Sequence, residues 1–314
     1  MVIAILLLVF GFVILVKGAD LLVDGASSLA KRFSISEIAI GLTIVAFGTS
    51  APELIVNIFS TITGHDDIAF GNILGSNIFN ILVVLGIAGL ISPISVQKNT
   101  VRKEIPFLFF GTLVLFGFAN NFGFPGSSLN RIDGAILLIL LLSFFYYVMR
   151  IAISKDLEVN IKILSVPKTL IFILLGIAGL LIGGDLVVKK AIFIARELNV
   201  SEKFISLTIV ALGTSLPELV TSIIAVSKKR YDLAIGNVVG SNLFNIFFVL
   251  GTCSVIAPIK YDPILNVDFM FLIIITFLFF LTMFTGKKHK LDRWEAFLFV
   301  IFYAIYIVFL FYRR

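Results

Sequence analysis

The chain carries one set of polar strings twice, inside sequence that is otherwise apolar. Gly48-Thr49-Ser50-Ala51-Pro52-Glu53 returns as Gly213-Thr214-Ser215-Leu216-Pro217-Glu218, and Gly71-Asn72-Ile73-Leu74-Gly75-Ser76-Asn77 returns as Gly236-Asn237-Val238-Val239-Gly240-Ser241-Asn242. Both returns fall 165 residues later (48 to 213 and 71 to 236), so one unit has been duplicated without an insertion between its motifs. The ungapped match runs from about Gly18-Ala19-Asp20 and Gly183-Gly184-Asp185 to Ser92-Pro93-Ile94 and Ala257-Pro258-Ile259. Whatever this chain folds into must treat its two halves alike.

The solvent for most of the chain is lipid. Hydrophobic residues make up 59%, charged residues 14%, and the mean hydropathy is +1.11, whereas soluble domains carry about a quarter charged residues. Crossing the hydrocarbon core takes about 20 apolar residues in a helix. Dividing at Gly, Pro, Asn and charge clusters gives ten candidate spans: 2–30, 36–62, 68–92, 105–120, 131–153, 167–190, 201–227, 233–257, 266–284 and 294–312. A membrane β-barrel would show runs of about ten residues alternating apolar and polar, and these runs are apolar on all faces. The first segment lacks a basic start and runs on into the repeat, so a cleaved signal peptide is not expected.

The fold class expected is an all-α integral membrane protein of ten transmembrane helices, arranged as two five-helix repeats, 1–153 and 167–314, joined by a short cytoplasmic linker, 154–166. An odd number of crossings per copy forces the second copy to enter from the opposite side, which inverts the repeats. Cytoplasmic loops accumulate Lys and Arg, and the odd-numbered loops hold 16 of the 25 here against eight on the other face. Both termini are then expected outside the cell. The formal charge of +6 follows from this basic face and needs no nucleic-acid partner. A single cysteine, Cys253, excludes an internal disulfide.

Glu53 and Glu218 fall near the middle of the second and seventh spans, where an unpaired carboxylate costs at least about 2.5 kcal/mol on insertion scales. Pro52 and Pro217 lack an N–H and crowd the carbonyl four residues earlier, so each helix is expected to break. The break should leave carbonyls such as those of Ala46, Phe47, Ala211 and Leu212 without helical partners, which is tolerated at membrane depth only against protein or a polar cavity. Ser50 and Glu53, like Ser215 and Glu218, also fit a capping box. Capping is compatible with ion binding, but it does not by itself explain two carboxylates in two apolar helices.

The second motif adds Ser76 with Asn80, and Ser241 with Asn245, each pair one helical turn apart on one face. Gly71, Gly75, Gly236 and Gly240 suit close helix packing. The motif windows 43–53, 71–80, 208–218 and 236–245 thus supply two carboxylates, hydroxyls from Thr49, Ser50, Ser76, Thr214, Ser215 and Ser241, two amides and backbone carbonyls. That is an all-oxygen set, which suits hard cations such as Ca2+ taking about six to eight oxygens, rather than zinc or copper. The two histidines, His65 and His289, lie in loops. Two glutamates neutralise one Ca2+ or two Na+, so a site able to hold either ion in turn is a site for exchange.

These motifs resemble the two inverted α-repeats of the cation/Ca2+ exchanger superfamily, along the whole chain, and most closely those of prokaryotic Na+/Ca2+ exchangers. The resemblance implies a secondary antiporter exchanging Na+ for Ca2+ by alternating access, with no enzyme activity, no cofactor and no required partner beyond the bilayer, sufficient as a monomer. It implies metal ligands at Ala46 (carbonyl), Thr49, Ser50, Glu53, Ser76 and Asn80 in one half, and Ala211 (carbonyl), Thr214, Ser215, Glu218, Ser241 and Asn245 in the other. It also implies that the long first and sixth helices slide across the rest. K+-dependent relatives carry an aspartate where Asn245 stands, and proton-coupled relatives a glutamate in the Gly-Asn-x-x stretch, so this chain departs from both. An intramembrane serine hydrolase lacks a base beside the motifs, and a cation channel is disfavoured because internal inverted repeats belong to transporters.

Overall fold

Apolar runs without water to satisfy their backbone must close their own hydrogen bonds, and helices are what these runs form. The computed structural model describes residues 1–123, 126–152, 163–198 and 211–313. In chain order its helices are α1 (Val2–Arg32), α2 (Glu37–Thr49), α3 (Ala51–Ile62), α4 (Ile68–Ile91), α5 (Ile105–Ala119), α6 (Arg131–Ile151), α7 (Val166–Glu197), α8 (Ala211–Gly213), α9 (Leu216–Ser227), α10 (Tyr231–Ile256), α11 (Asn266–Thr282) and α12 (Arg293–Tyr312). Among the described residues seven helices, or eight if the bent pair α2–α3 counts as one, are long and apolar enough to cross a membrane. The expected fourth span is the shorter α5, and the seventh falls partly on residues 201–210, outside the described residues.

The helices sort by burial in a way that composition alone does not reveal. Over their most apolar windows α10 is 94% buried and α4 78%, against 28% for α1 and 22% for α12. The two helices that carry the second motif therefore form the centre, with the most apolar helices outside them. Two short antiparallel pairs tie the halves together: β1 (Ile94–Ser95) with β4 (Lys290–Leu291), and β2 (Ser128–Leu129) with β3 (Ile259–Lys260). Ile94 faces Leu291 and Leu129 faces Ile259. Since α5 runs between β1 and β2, the two pairs clamp opposite ends of the bundle.

α1 and α7 lie against each other along a seam of glycines. Gly11, Gly18 and Gly25 recur every seven residues on α1; Gly11 meets Gly183, Gly18 meets Gly176, and Gly25 meets Ile173 of α7. A Cβ at Gly18 would stand 2.7 Å from the Leu180 amide nitrogen, and one at Gly176 would stand 2.6 Å from that of Leu22. No side chain fits at either position. Where the seam ends, Ser28 and Thr169 share a 3.0 Å hydrogen bond. Near the other side of α1, Lys228 Nζ bridges Asp20 and Asp24, each at 2.6 Å.

The second motif's glycines are used on one side only among the described residues. A Cβ at Gly236 would meet the Ile38 carbonyl at 2.8 Å, and one at Gly240 would meet Ala46 Cβ at 2.7 Å, so α10 packs closely on α2. Gly71 and Gly75 have no described atom within 4 Å of such a Cβ.

Candidate cation site

α2 ends at Thr49 and α3 starts at Ala51, with a bend of 49° between them. Pro52 and Pro217 occupy the first turn of the new helix in each half, where a missing N–H costs nothing. The expected break is there, but its effect on Ala46 differs from expectation. Because Ala46–Thr49 keep helical geometry up to the break, the Ser50 N–H still reaches the Ala46 carbonyl at 3.0 Å. That carbonyl is therefore not freed, and the Thr49 hydroxyl also lies 3.2 Å from it. The carbonyls that the prolines deprive of a donor are those of Gly48 and Gly213. Ala211 is the first described residue of its half's break and is helical, as are Leu212 and Gly213.

Both carboxylates are wholly buried, and each is held by the opposite half. Ser50 Oγ donates to Glu218 Oε1 at 3.1 Å, and Ser215 Oγ donates to Glu53 Oε1 at 3.2 Å. Ser76 Oγ adds a second bond to Glu53 Oε1 at 3.3 Å. The other oxygen of each, Glu53 Oε2 and Glu218 Oε2, has no hydrogen-bond partner among the described residues. The same holds for Asn80 Oδ1 and Asn245 Oδ1, on residues equally inaccessible to solvent. Four buried oxygens, two from each half and related by the 165-residue shift, are thus left with unused lone pairs. Buried acceptors without partners are costly, and a carboxylate without one more so. A hard cation is the partner that would satisfy all four at once.

The threonines are placed less directly. Thr49 Oγ1 lies 3.0 Å from Asn237 Oδ1 and 3.2 Å from Ser241 Oγ, and Thr214 Oγ1 donates to Asn72 Oδ1 at 3.3 Å. The Thr214 hydroxyl hydrogen is thus directed at Asn72, while that of Thr49 has Asn237 Oδ1, Ser241 Oγ and the Ala46 carbonyl within reach. Hydrogen bonds join Thr49 to Ser241, Ser50 to Glu218, and Ser76 and Ser215 to Glu53, while Thr214 bonds to Asn72, Asn80 to Asn242 and Asn245 to Asn77.

Several polar residues of the web carry no role in the sequence reading. Asn237 Nδ2 donates to the Glu218 carbonyl at 3.3 Å and to Ser222 Oγ at 3.0 Å, while Asn57 Nδ2 donates to the Glu53 carbonyl at 2.6 Å. Asn77 and Asn242 cross between the halves. The signal for four of them was present, since Asn72, Asn77, Asn237 and Asn242 sit in the repeated motif itself. Asn80 and Asn245 also fall in wide turns, Asn80–Val84 and Phe244–Val249, where the backbone bonds i to i+5. Such π-turns concentrate at functional positions, and nothing in residue type announced them.

A buried cage of oxygens shared by two similar halves of a helical membrane protein defines a cation-handling membrane protein. The chain belongs to the sodium/calcium exchanger protein family, whose model matches residues 3–150 and 168–312. It is 35% identical over 291 residues to inner membrane protein YrbG of Escherichia coli (strain K12), covering 89% of this chain and 88% of that one. It is 28% identical over 344 residues to sodium/calcium exchanger MaX1 of Methanosarcina acetivorans, covering 98% of each. The solved structure of the sodium-calcium exchanger NCX_Mj superposes with a TM-score of 0.84 at 33% identity, over 99% of this chain and 100% of that one.

Proposed function

We propose that this chain is a secondary antiporter that exchanges Na+ for Ca2+ across a cell membrane, holding the ions in turn at one midplane site shared by both halves. The observation that carries the reading is the set of four buried, unpartnered oxygens on Glu53, Glu218, Asn80 and Asn245. Two carboxylates balance the charge of one Ca2+, and two amide dipoles add oxygens without adding charge. MaX1 and NCX_Mj, by their names, are sodium/calcium exchangers, which supports the choice of ions.

In this reading the ten crossings are two inverted five-helix units, 1–153 and 167–314, and both termini face outward. Inversion brings the breaks beside Ser50 and Ser215 in from opposite faces. The crossed serine–glutamate bonds then let each half sense the ion held by the other. A release path on either side opens only when the bonds across the halves rearrange, so the site reaches one side at a time. The glycine seam lets the backbones of α1 and α7 approach closely, which suits them to slide. The Ala211 carbonyl and the hydroxyls of Thr49, Ser50, Ser76, Thr214, Ser215 and Ser241 complete the coordination as the site closes around each ion, and the Ala46 carbonyl joins them only if it gives up its bonds from Ser50 and Thr49.

A channel built on the same oxygens would pass Ca2+ without a counter-ion. The test is Ca2+ flux through the purified protein in liposomes, with and without a cation on the far side. The expected flux saturates with Ca2+ and requires the counter-cation; unsaturated flux into counter-ion-free vesicles would overturn the antiport reading.

A further inference from the structure

Asparagine presents either an oxygen or an NH2 group by turning its amide over, so a cation site built on Asn80 and Asn245 needs something to fix which end faces inward. Two other asparagines, Asn77 and Asn242, lie fully buried at the contact between α4 and α10. Asn77 Nδ2 donates to the backbone carbonyl of Asn242 at 3.4 Å, and Asn242 Nδ2 donates to the backbone carbonyl of Asn77 at 3.3 Å. A backbone carbonyl can only accept, so neither amide can turn over without placing oxygen against oxygen.

The consequence passes along one further bond on each side. With its NH2 committed, Asn77 aims Oδ1 at Asn245, whose Nδ2 donates to it at 3.0 Å. Asn242 does the same for Asn80, whose Nδ2 donates to Oδ1 at 2.9 Å. Both NH2 groups of the candidate ligands are therefore turned away, and the oxygens left over are two of the four unpartnered ones. The four bonds form a closed frame with one pseudo-twofold relation, using groups from both halves.

We propose that Asn77 and Asn242 are positioning residues that hold the Asn80 and Asn245 amides oxygen-inward and thereby set the preference for Ca2+ over Na+. The proposal rests on the exchange reading above. An amide turned over would aim positive N–H groups at the ion, and a divalent ion feels that reversal twice as strongly as a monovalent one.

The test is Ca2+ uptake by Na+-loaded proteoliposomes of Asn77→Leu and Asn242→Leu, with half-saturating Ca2+ and maximal rate measured separately. Loss of a group that orients a metal ligand typically costs roughly tenfold to a hundredfold in metal affinity, so half-saturating Ca2+ should rise by that factor and half-saturating Na+ by less. Half-saturation unchanged in the leucine variants, with only rate or yield reduced, would show a purely structural role and overturn the proposal. Alanine variants, smaller than the native side chain, are read the same way where leucine does not fold. Glu53→Gln in the same assay separates the two claims: if it transports normally the site reading itself fails, and if it is inactive while the leucine variants keep wild-type half-saturation, only the frame fails.

Discussion

Replacing Glu218 with glutamine changes the charge of the site while keeping its shape. The amide oxygen can still accept from Ser50, as Glu218 Oε1 does at 3.1 Å, so the crossed contact between halves survives. What changes is the unpartnered oxygen, Glu218 Oε2, which becomes an NH2 group facing the ion. Two unit charges about 4 Å apart interact by about 4 kcal/mol at an effective dielectric of about 20. On that scale Ca2+ loses about 8 kcal/mol of attraction and Na+ about 4. The difference of about 4 kcal/mol corresponds to roughly a thousandfold shift in preference from Ca2+ towards Na+. Glu218→Gln should therefore abolish measurable Ca2+ uptake, while Na+ still protects the purified protein against thermal unfolding at raised concentration. Glu53→Gln should behave alike, because Ser215 holds Glu53 as Ser50 holds Glu218. A Glu218→Gln protein with half-saturating Ca2+ within tenfold of wild type would refute the reasoning, since the carboxylate would then lie outside the ion's reach.

The seam and the ends of the bundle give further expectations. Gly176→Leu places atoms where a Cβ already stands 2.6 Å from the Leu22 amide nitrogen; the α1–α7 pair must separate, and thermal unfolding should show a loss of at least about 1–3 kcal/mol. Lys228→Met removes the bridge to Asp20 and Asp24, whose side chains are 39% and 49% exposed. Its cost should be no more than about 1 kcal/mol and should vanish in high salt, which melting curves at two ionic strengths will show. Cysteines placed at residues 2 and 312 in a Cys253→Ala background should both react with an impermeant thiol reagent added outside intact cells; protection of both would invert the proposed topology.

Hydropathy and the 165-residue repeat made the helical membrane architecture and the breaks beside Pro52 and Pro217 legible, because each rests on a strong local rule. Charge at membrane depth likewise singled out Glu53 and Glu218. The fate of the Ala46 carbonyl was not legible, since it turns on whether Ala46–Thr49 stay helical right up to the break, which no residue type dictates. Nor were the wide turns that open beside Asn80 and Asn245, which come from packing of α4 and α10 rather than from a local signal. The glycine seam was not read from the sequence, since a glycine such as Gly18 finds its partner Gly176 only 158 residues further along the chain. The asparagine frame needed three dimensions for the same reason: Asn77 acts on Asn245 and Asn242 acts on Asn80, across the halves rather than within them.

In the proposed exchange a cage of two carboxylates and two neutral amides trades Na+ for Ca2+. Its most direct test is Ca2+ uptake into vesicles containing the purified protein and loaded in parallel with Na+, with K+, or with acid. Uptake driven by the Na+ load alone is the predicted result. Uptake driven by the proton gradient and indifferent to Na+ would contradict it.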